Sequence, residues 1–517
     1  MGLEQMDGGN AFSSSDSTYA TPLTEQWPPH EPRKPIQHPK LPREIRAVKD
    51  AGKYVSPGKN IVVCLDGTGD QFDADNSNIV HLVSCLKKSS PDQVTYYQSG
   101  IGTYDGGGLS NGINAAMDMA VGSGLGVHIR DAYRFIMANY NEGDKISLFG
   151  FSRGAYTARC LAGMLHKVGL LPAGNQSQVE FAYNYYKDDS EEGWQMSRDF
   201  KKTFCMSVTV DFIGVFDSVA SVGFIPRKLP LSSTPTHRPA HFRHAMALDE
   251  RRAKFKTCRY QQKDSLEAKY KISAEGDIVD TDVLEVWFTG CHADVGGGAV
   301  KNVERHKLSQ IPLRWMIRQC FECDTGIIFK VHALAEEGID VHTLWPIYEK
   351  PTLPHGGPPP DMLDKYHRGA LGPIQRRSSL LEPVDKNDER GMHQLKIYRD
   401  DHEHDDDDSS EKEAGTIMHE QWTPEQVEDY FDALQRVNDQ LVDAKGWWIL
   451  EVWPIKVRIQ PKGTDEWIKK LRLNLGRRRC IQEWAPHLHW TVKHRTETMD
   501  YKVKTRMDRN SEWRVVI

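Results

Sequence analysis

A chain of 517 residues that is 39% hydrophobic can bury a large core, and its length suits one decorated domain or two to three smaller ones. A formal charge of -6 and a pI near 6.4, with no sustained basic stripe, exclude a nucleic-acid binder that works through phosphate contacts. No run approaches the roughly 18 apolar residues of a membrane-spanning helix, and nine scattered cysteines, an odd number, read as free thiols in a reducing interior rather than a disulfide framework.

Residues 1–55 are polar and proline-rich (Pro28, Pro29, Pro32, Pro35, Pro39, Pro42) and lack the apolar centre of a secretory signal, so they are expected to be a disordered leader and the protein cytoplasmic. From residue 56 to 348 strands and helices alternate. Asn60–Leu65 reads as a buried strand running into Asp66-Gly67-Thr68-Gly69, and Val94–Tyr97 as a second. The cluster Asp70, Asp73, Asp75, Asn76 and Asn78 lacks the glycine and terminal glutamate of a calcium loop, so no metal is expected there. Glycine-rich stretches at 99–108 and 122–126 lack the Gly-Lys-Ser/Thr of a phosphate loop and read as loops rimming a cleft; no cofactor is expected. Val127–Tyr140 carries a helical stripe through Ile129, Ala132, Tyr133, Ile136, Met137 and Tyr140.

Next comes Lys145-Ile-Ser-Leu-Phe-Gly-Phe-Ser-Arg-Gly-Ala-Tyr156, an apolar strand entering Gly150-Phe151-Ser152-Arg153-Gly154 and then a helix. A serine on so sharp a strand-to-helix turn has its hydroxyl lifted above the sheet, and the flanking glycines remove side chains that would collide. Ser152 is the candidate nucleophile. Such a serine needs a base, and the base needs an acid to hold its tautomer. Val208–Phe216 is a long apolar strand ending in Asp217, and Val283–Thr289 one ending in Gly290-Cys291-His292. Asp217 is the candidate acid and His292 the candidate base, with His489 in Leu488-His-Trp-Thr-Val492 the alternative base; Asp294 could orient a different histidine. The order Ser152, Asp217, His292 is that of α/β-hydrolases. For the oxyanion, the backbone N–H of Arg153 and the loop of Gly67 and Thr68 are the candidate donors, and Asp66 is expected to fix that loop.

Leu308, Ile311, Trp315, Met316 and Cys320 mark a further helix whose Cys320 and Cys323 lack the second cysteine pair of a zinc site. Residues 349–415, with Pro351, Pro354, Pro358–Pro360, Arg376-Arg-Ser-Ser379 and the acidic run 400–408 containing His402 and His404, read as a disordered insert. Residues 416–517 form a helical and aromatic segment. Its helix is predicted over Thr423–Ala444, with Thr423 as N-cap and Pro424 at the first position. Trp447, Trp448, Ile449, Leu450, Val452 and Trp453 suit either a peripheral membrane contact or docking on the core; Glu451 and Pro454 interrupt the run and favour docking.

Taken together, Leu65-Asp-Gly-Thr68, Gly150-Phe-Ser-Arg-Gly-Ala-Tyr156, Phe216-Asp-Ser-Val219, Ala247-Leu-Asp-Glu-Arg251, Phe288-Thr-Gly-Cys-His-Ala-Asp-Val-Gly-Gly-Gly298 and Gly446-Trp-Trp-Ile-Leu-Glu451 resemble the α/β-hydrolase family that includes the phospholipase effectors of bacterial type VI secretion. The resemblance covers roughly residues 58 to 345 and returns near 440 to 495. It departs at Asp66-Gly-Thr-Gly-Asp70, where the family has an aromatic residue and then Asn, and at Leu488-His-Trp-Thr-Val492, where it has Ile-His-Pro-Ser-Val. The resemblance implies Ser152, Asp217 and His292 as a triad and hydrolysis of carboxylic esters, with phospholipid acyl esters among the substrates. The expected fold is α/β-hydrolase-like, a mainly parallel sheet with helices on both faces and helical insertions. Thioester or peptide cleavage on the same fold, and a non-catalytic binding protein, are the alternatives.

Overall fold

The computed structural model describes residues 41–68, 70, 72–100, 124–219, 239–260, 281–354, 357–358, 360–371, 422–452, 454–459, 468–507 and 511–517. By internal contacts the chain divides into Met1–Pro39 and Lys40–Ile517, and the second unit holds all of them. Residues 1–40 of the expected leader, glycines 106–108 and 122, residues 372–415 with Arg376, Arg377, Ser379, His402 and His404, and Trp453 lie outside the described residues. Residues 41–55, expected to belong to the same disordered leader, are instead built into the fold: Glu44–Arg46 pairs with Ile328–Lys330, and Leu41, Ile45, Ala47 and Val48 are buried.

Strand β1 (Glu44–Arg46) is followed by β2 (Asn60–Leu65), β3 (Ser89–Ser90), β4 (Gln93–Gln98), β5 (Lys145–Phe151), β6 (Val210–Phe216), β7 (His241–Ala247) and β8 (Asp282–Phe288). The later strands are β9 (Ile328–Lys330), β10 (Pro454–Ile459), β11 (Ile468–Leu473), β12 (Cys480–Ile481), β13 (His487–His489), β14 (Arg506–Met507) and β15 (Arg514–Val516). Nine of them form one sheet in the order β15-β13-β8-β7-β6-β5-β2-β4-β3. Every neighbouring pair is parallel except β3 with β4.

Parallel strands need crossovers, and the crossover helices cover both faces of the sheet. Alternate side chains of β2 show the division. Ile61 and Val63 pack with Ile129, Tyr133, Leu161 and Leu165 from helices Gly124–Asn139 and Ser152–Val168. Val62 and Cys64 point the other way, onto Leu82, Ile317 and Phe321 from helices Asn78–Cys85 and Gln310–Glu322. This is the α/β-hydrolase-like architecture. The topology reverses at β2, whose neighbours β4 and β5 lie on opposite sides, so the loops after β2 and β5 meet at the switch point where such sheets build their sites.

Strand β7 has no counterpart in the sequence reading. Its His241-Phe-Arg-His-Ala-Met-Ala247 lacks an apolar run, yet it is central and buried because its polar side chains are partnered. Arg243 donates to Gln319 Oε1 (2.7 Å) and Asp282 Oδ2 (2.6 Å), and His244 Nδ1 bonds Glu285 Oε1 at 2.9 Å.

The segment after the insert is built into the same unit, since β13 and β15 extend the sheet beyond β8. Within the expected insert Pro360–His367 is helical, and Tyr366 stacks on Phe431 at 4.3 Å. Thr423 and Gln426 form a reciprocal capping box at the start of helix Pro424–Ala433. That helix stops at Ala433, short of the predicted Ala444, and a separate turn Gln440–Asp443 begins where Asp439 Oδ1 accepts from Leu441 N. Helix Pro424–Ala433 is fastened to Gln310–Glu322 by buried ion pairs. Arg314 binds Asp429 and Asp432, and Arg318 takes both carboxylate oxygens of Glu425, at 2.6 and 2.7 Å.

Breaking such a pair from one side strands a charge in the interior. Arg314→Leu, which leaves Asp429 and Asp432 without their cation, is expected to cost about 3–5 kcal/mol in urea unfolding. Removing the exposed Arg368–Asp364 pair as Arg368→Ala is expected to change stability by less than about 1 kcal/mol.

Candidate active site

Strand β5 ends at Phe151 and a helix begins at Ser152, which sits at φ 56°. A residue with a Cβ is rarely held in that left-handed region, and the surroundings here enforce it. A Cβ on Gly150 would lie 2.6 Å from Ala155 N, and one on Gly154 would overlap the carbonyl oxygens of Leu65 and Asp66. The helix is therefore pressed against the end of β2, and the serine projects above the sheet.

Two other strand ends converge on it. His292 opens the short helix His292–Gly296 after β8, and its Nε2 lies 2.8 Å from Ser152 Oγ. Its Nδ1 lies 2.5 Å from Oδ2 of Asp217, which follows β6 at φ 38°. An ionised carboxylate at Nδ1 makes that nitrogen the donor, which leaves Nε2 to accept the serine O–H. The imidazole is sandwiched between Phe151, tilted at 4.8 Å, and Phe255, edge-on at 4.8 Å. Burial there lowers its pKa, against the upward pull of Asp217.

The loop after β2 closes the other side. Asp66 accepts from Gly67 N (2.8 Å), Ser77 Oγ (2.7 Å) and Tyr97 OH (2.9 Å), the loop-fixing part expected of it. The Gly67 N–H is thereby already donated, so of the two residues proposed as oxyanion donors in this loop only Thr68 keeps a candidate N–H. Gly67 instead permits close approach, since a Cβ there would lie 2.8 Å from the Phe151 ring. Arg153 binds Thr68 Oγ1 through its side chain, and its own N–H, in the first turn of a helix, has no intrahelical acceptor.

His489, the alternative base, is engaged elsewhere. Its Nδ1 bonds Thr491 Oγ1 at 2.9 Å and its ring stacks on Phe288. Burial drives its pKa down to about 3, so it is a neutral core residue. Asp294 orients no histidine either; it accepts from Cys291 N (2.8 Å) and from Asn438 N (2.9 Å) and Nδ2 (2.6 Å), which holds the loop carrying His292.

Comparison with known proteins places this geometry. The profile of the type VI secretion system (T6SS) family "Phospholipase effector Tle1-like, catalytic domain" matches residues 59–319, just over half of the chain. The chain belongs to this family. Membership makes it a hydrolase of the lipase and esterase type. An uncharacterized protein of Saccharomyces cerevisiae is 26% identical, over 85% of this chain and 79% of its own. Among solved structures, an uncharacterized protein from Pseudomonas aeruginosa aligns over 52% of this chain and 46% of its own, at 18% identity and a TM-score of 0.32. The Tle1 effector bound to the VgrG spike aligns over 55% and 56%, at 19% identity and a TM-score of 0.24. This chain thus spans about half the length of the two solved relatives.

In this Tle1-like site the sequence reading missed the residue that handles the charge on Asp217. Arg479, just before β12, donates Nη1 to Oδ1 (2.6 Å) and Nη2 to Oδ2 (2.8 Å), and its remaining bonds reach the carbonyls of Ala247 and Phe255. Burial alone would raise the Asp217 carboxyl. Arg479 and then His292 overturn that and hold it well below the usual carboxylate range. Nothing in Gly476-Arg-Arg-Arg-Cys480 marks which arginine turns inward, although three in a row beside the aromatic segment were a signal of charge waiting for partners. Glu250 was quoted only as part of a motif. It accepts from His292 N at 3.2 Å and from Arg252 Nη2 at 2.9 Å, and Arg252 holds it at about 2 against the pull of burial.

Among the described residues one cluster has metal-ligand chemistry, His241, Asp282 and Cys323. Arg243 Nη2 already bonds Asp282 Oδ2 and, at 3.0 Å, Cys323 Sγ, so a cation's place is taken by a guanidinium.

Because the folded-state value of Asp217 is depressed, its contribution to stability is complete above the ordinary 3.8 and is lost as pH falls below it. Arg479→Leu leaves burial unopposed by the guanidinium, so the stabilisation that acid titrates away in the wild type is already missing at neutral pH. The variant is expected to be about 3–5 kcal/mol less stable than the wild type at neutral pH, with the difference narrowing below pH 3.8, when urea unfolding is followed by far-UV circular dichroism across pH.

Proposed function

We propose that this protein is a serine hydrolase that cleaves carboxylic esters, phospholipid acyl esters among them, through Ser152, His292 and Asp217. The observation that carries the reading is the unbroken hydrogen-bonded chain from Ser152 Oγ through His292 to Asp217, at 2.8 and 2.5 Å. Family membership supports it independently.

In this reading His292 Nε2 takes the serine proton as Oγ attacks the acyl carbonyl. The imidazolium that forms is matched by Asp217, which Arg479 keeps ionised. The carbonyl oxygen becomes an oxyanion, for which the N–H groups of Arg153 and Thr68 are the donors. His292 then returns the proton to the leaving alcohol. Water, deprotonated by the same nitrogen, opens the acyl-enzyme and regenerates Ser152. No metal or cofactor enters these steps.

Ser152→Ala is expected to abolish covalent labelling by a fluorophosphonate and to lower kcat on p-nitrophenyl and phospholipid esters by a factor on the order of 10⁴. Retained labelling or turnover would overturn the assignment. Since the base acts only when neutral and burial lowers its pKa, the rising limb of kcat/KM against pH is expected to have its midpoint below the ordinary imidazole value of 6.5. A midpoint at or above that value would count against His292.

A further inference from the structure

The aromatic segment beside the site faces two ways. Leu450 and Glu451 are buried, and the Glu451 carboxylate accepts from Ala253 N (2.6 Å), Asn474 Nδ2 (2.5 Å) and Gly476 N (2.9 Å). On the opposite side of the same turn Ile449 is 69% exposed and Val452 58%. The ribbon of β10 and β11 continues this outer face. Leu473 pairs with Pro454, and Leu471 and Leu473, two residues apart and so on one side of the strand, are 67% and 40% exposed. Leu475 N bonds Glu451 O, and Gly476 lies against the Trp448 ring, so the turn and the ribbon end adjoin. Scattered exposed aliphatics are ordinary, but a contiguous set marks a contact surface.

Charge narrows the partner. Residues 445–479 hold ten Lys and Arg against three acids in a chain whose net charge is -6. Arg478 and Arg479 are bound inward, to Asp249 and Asp217, whereas Lys445 and Arg477 are exposed beside the apolar turn, and Lys470 and Arg472 are exposed on the side of the strand opposite Leu471 and Leu473. Lys470 to Leu473 are all exposed, so this strand of the ribbon has both faces open. Aliphatic and Trp side chains flanked by exposed cations at Lys445 and Arg477 match the headgroup zone of an anionic bilayer. The surface is joined to the site by rings: Trp447 meets Phe255 edge-on at 5.5 Å, and Phe255 meets His292.

We propose that the outer face carried by Lys445, Ile449, Val452, Leu471, Leu473 and Arg477 docks on an anionic phospholipid surface and brings the Ser152 site to the interface. As a docking surface it stands by itself; its role in presenting acyl esters rests on the hydrolase reading above.

The test is co-sedimentation of the full chain with phosphatidylcholine vesicles with and without phosphatidylserine. Binding is expected only with phosphatidylserine, and salt should weaken it. Each cation removed from a surface contact costs about fivefold, so Lys445→Glu with Arg477→Glu should weaken binding by more than about twentyfold. Ile449→Ser with Leu471→Ser should weaken it by on the order of tenfold. Both pairs should keep the wild-type melting temperature and hydrolysis of a water-soluble short-chain ester. Absence of wild-type binding, equal binding by both variant pairs, or an effect of Ile449→Ser with Leu471→Ser on self-association alone would overturn the proposal. Ser152→Ala separates the two readings. If that variant binds vesicles while the wild type hydrolyses no ester, docking stands and the hydrolase reading falls; turnover of the soluble ester without vesicle binding gives the reverse.

Discussion

A carboxylate with no exposure to water, Asp217, is the constraint around which this site is arranged. Taking such a charge out of water costs several kcal/mol, and an imidazole that is neutral at rest does not by itself offset it. Arg479 does, with two parallel bonds in the fork geometry that suits a carboxylate. The acid belongs to the front half of the chain and its counter-charge to the last forty or so residues. A site assembled from residues 152, 217 and 292 is thus electrically complete only once the C-terminal segment has docked.

The same device recurs at each seam. Arg478 binds Asp249, Arg251 binds Asp439, Asn438 binds Asp294, and Glu451 gathers backbone N–H groups from 253 and 476. Further out, Arg314 and Arg318 join two helices through Asp429, Asp432 and Glu425. Apolar packing would hold these pieces together with looser register, whereas directional bonds between buried charges fix the loops that carry Asp217 and His292. Polar residues in the core of this protein act as locators.

The apolar segment 447–452 shows how one stretch serves two ends. Its inner side anchors the loop of Ala253 through Glu451, and its outer side leaves aliphatic groups in water beside a basic ribbon. On the proposed reading, a rigid link between docking face and site would present an acyl carbonyl to Ser152 without a large rearrangement. No helix among the described residues is long and apolar enough to cross a membrane.

Much of this was legible in residue order. Apolar runs of the right length located five of the parallel strands to within two residues, because a strand buried on both faces must be apolar throughout. Polar groups at strand ends pointed to Ser152, Asp217 and His292 because parallel sheets collect their sites there. Strand β7 escaped for the converse reason: His241, Arg243 and His244 are tolerated in a central strand only by partners at Asp282, Glu285 and Gln319, which no local pattern displays. The helix from Pro424 ended early because Asn438 and Asp439 turn toward Asp294 and Arg251. The chain by itself determined which segments are buried and which side chains stand at strand ends, since those follow from local hydrophobicity and backbone geometry. Only the tertiary structure decided that His292 rather than His489 meets the serine, and that Arg479 among three arginines holds the acid, because a charge chooses its partner by distance and solvent exclusion, which no sequence spacing encodes.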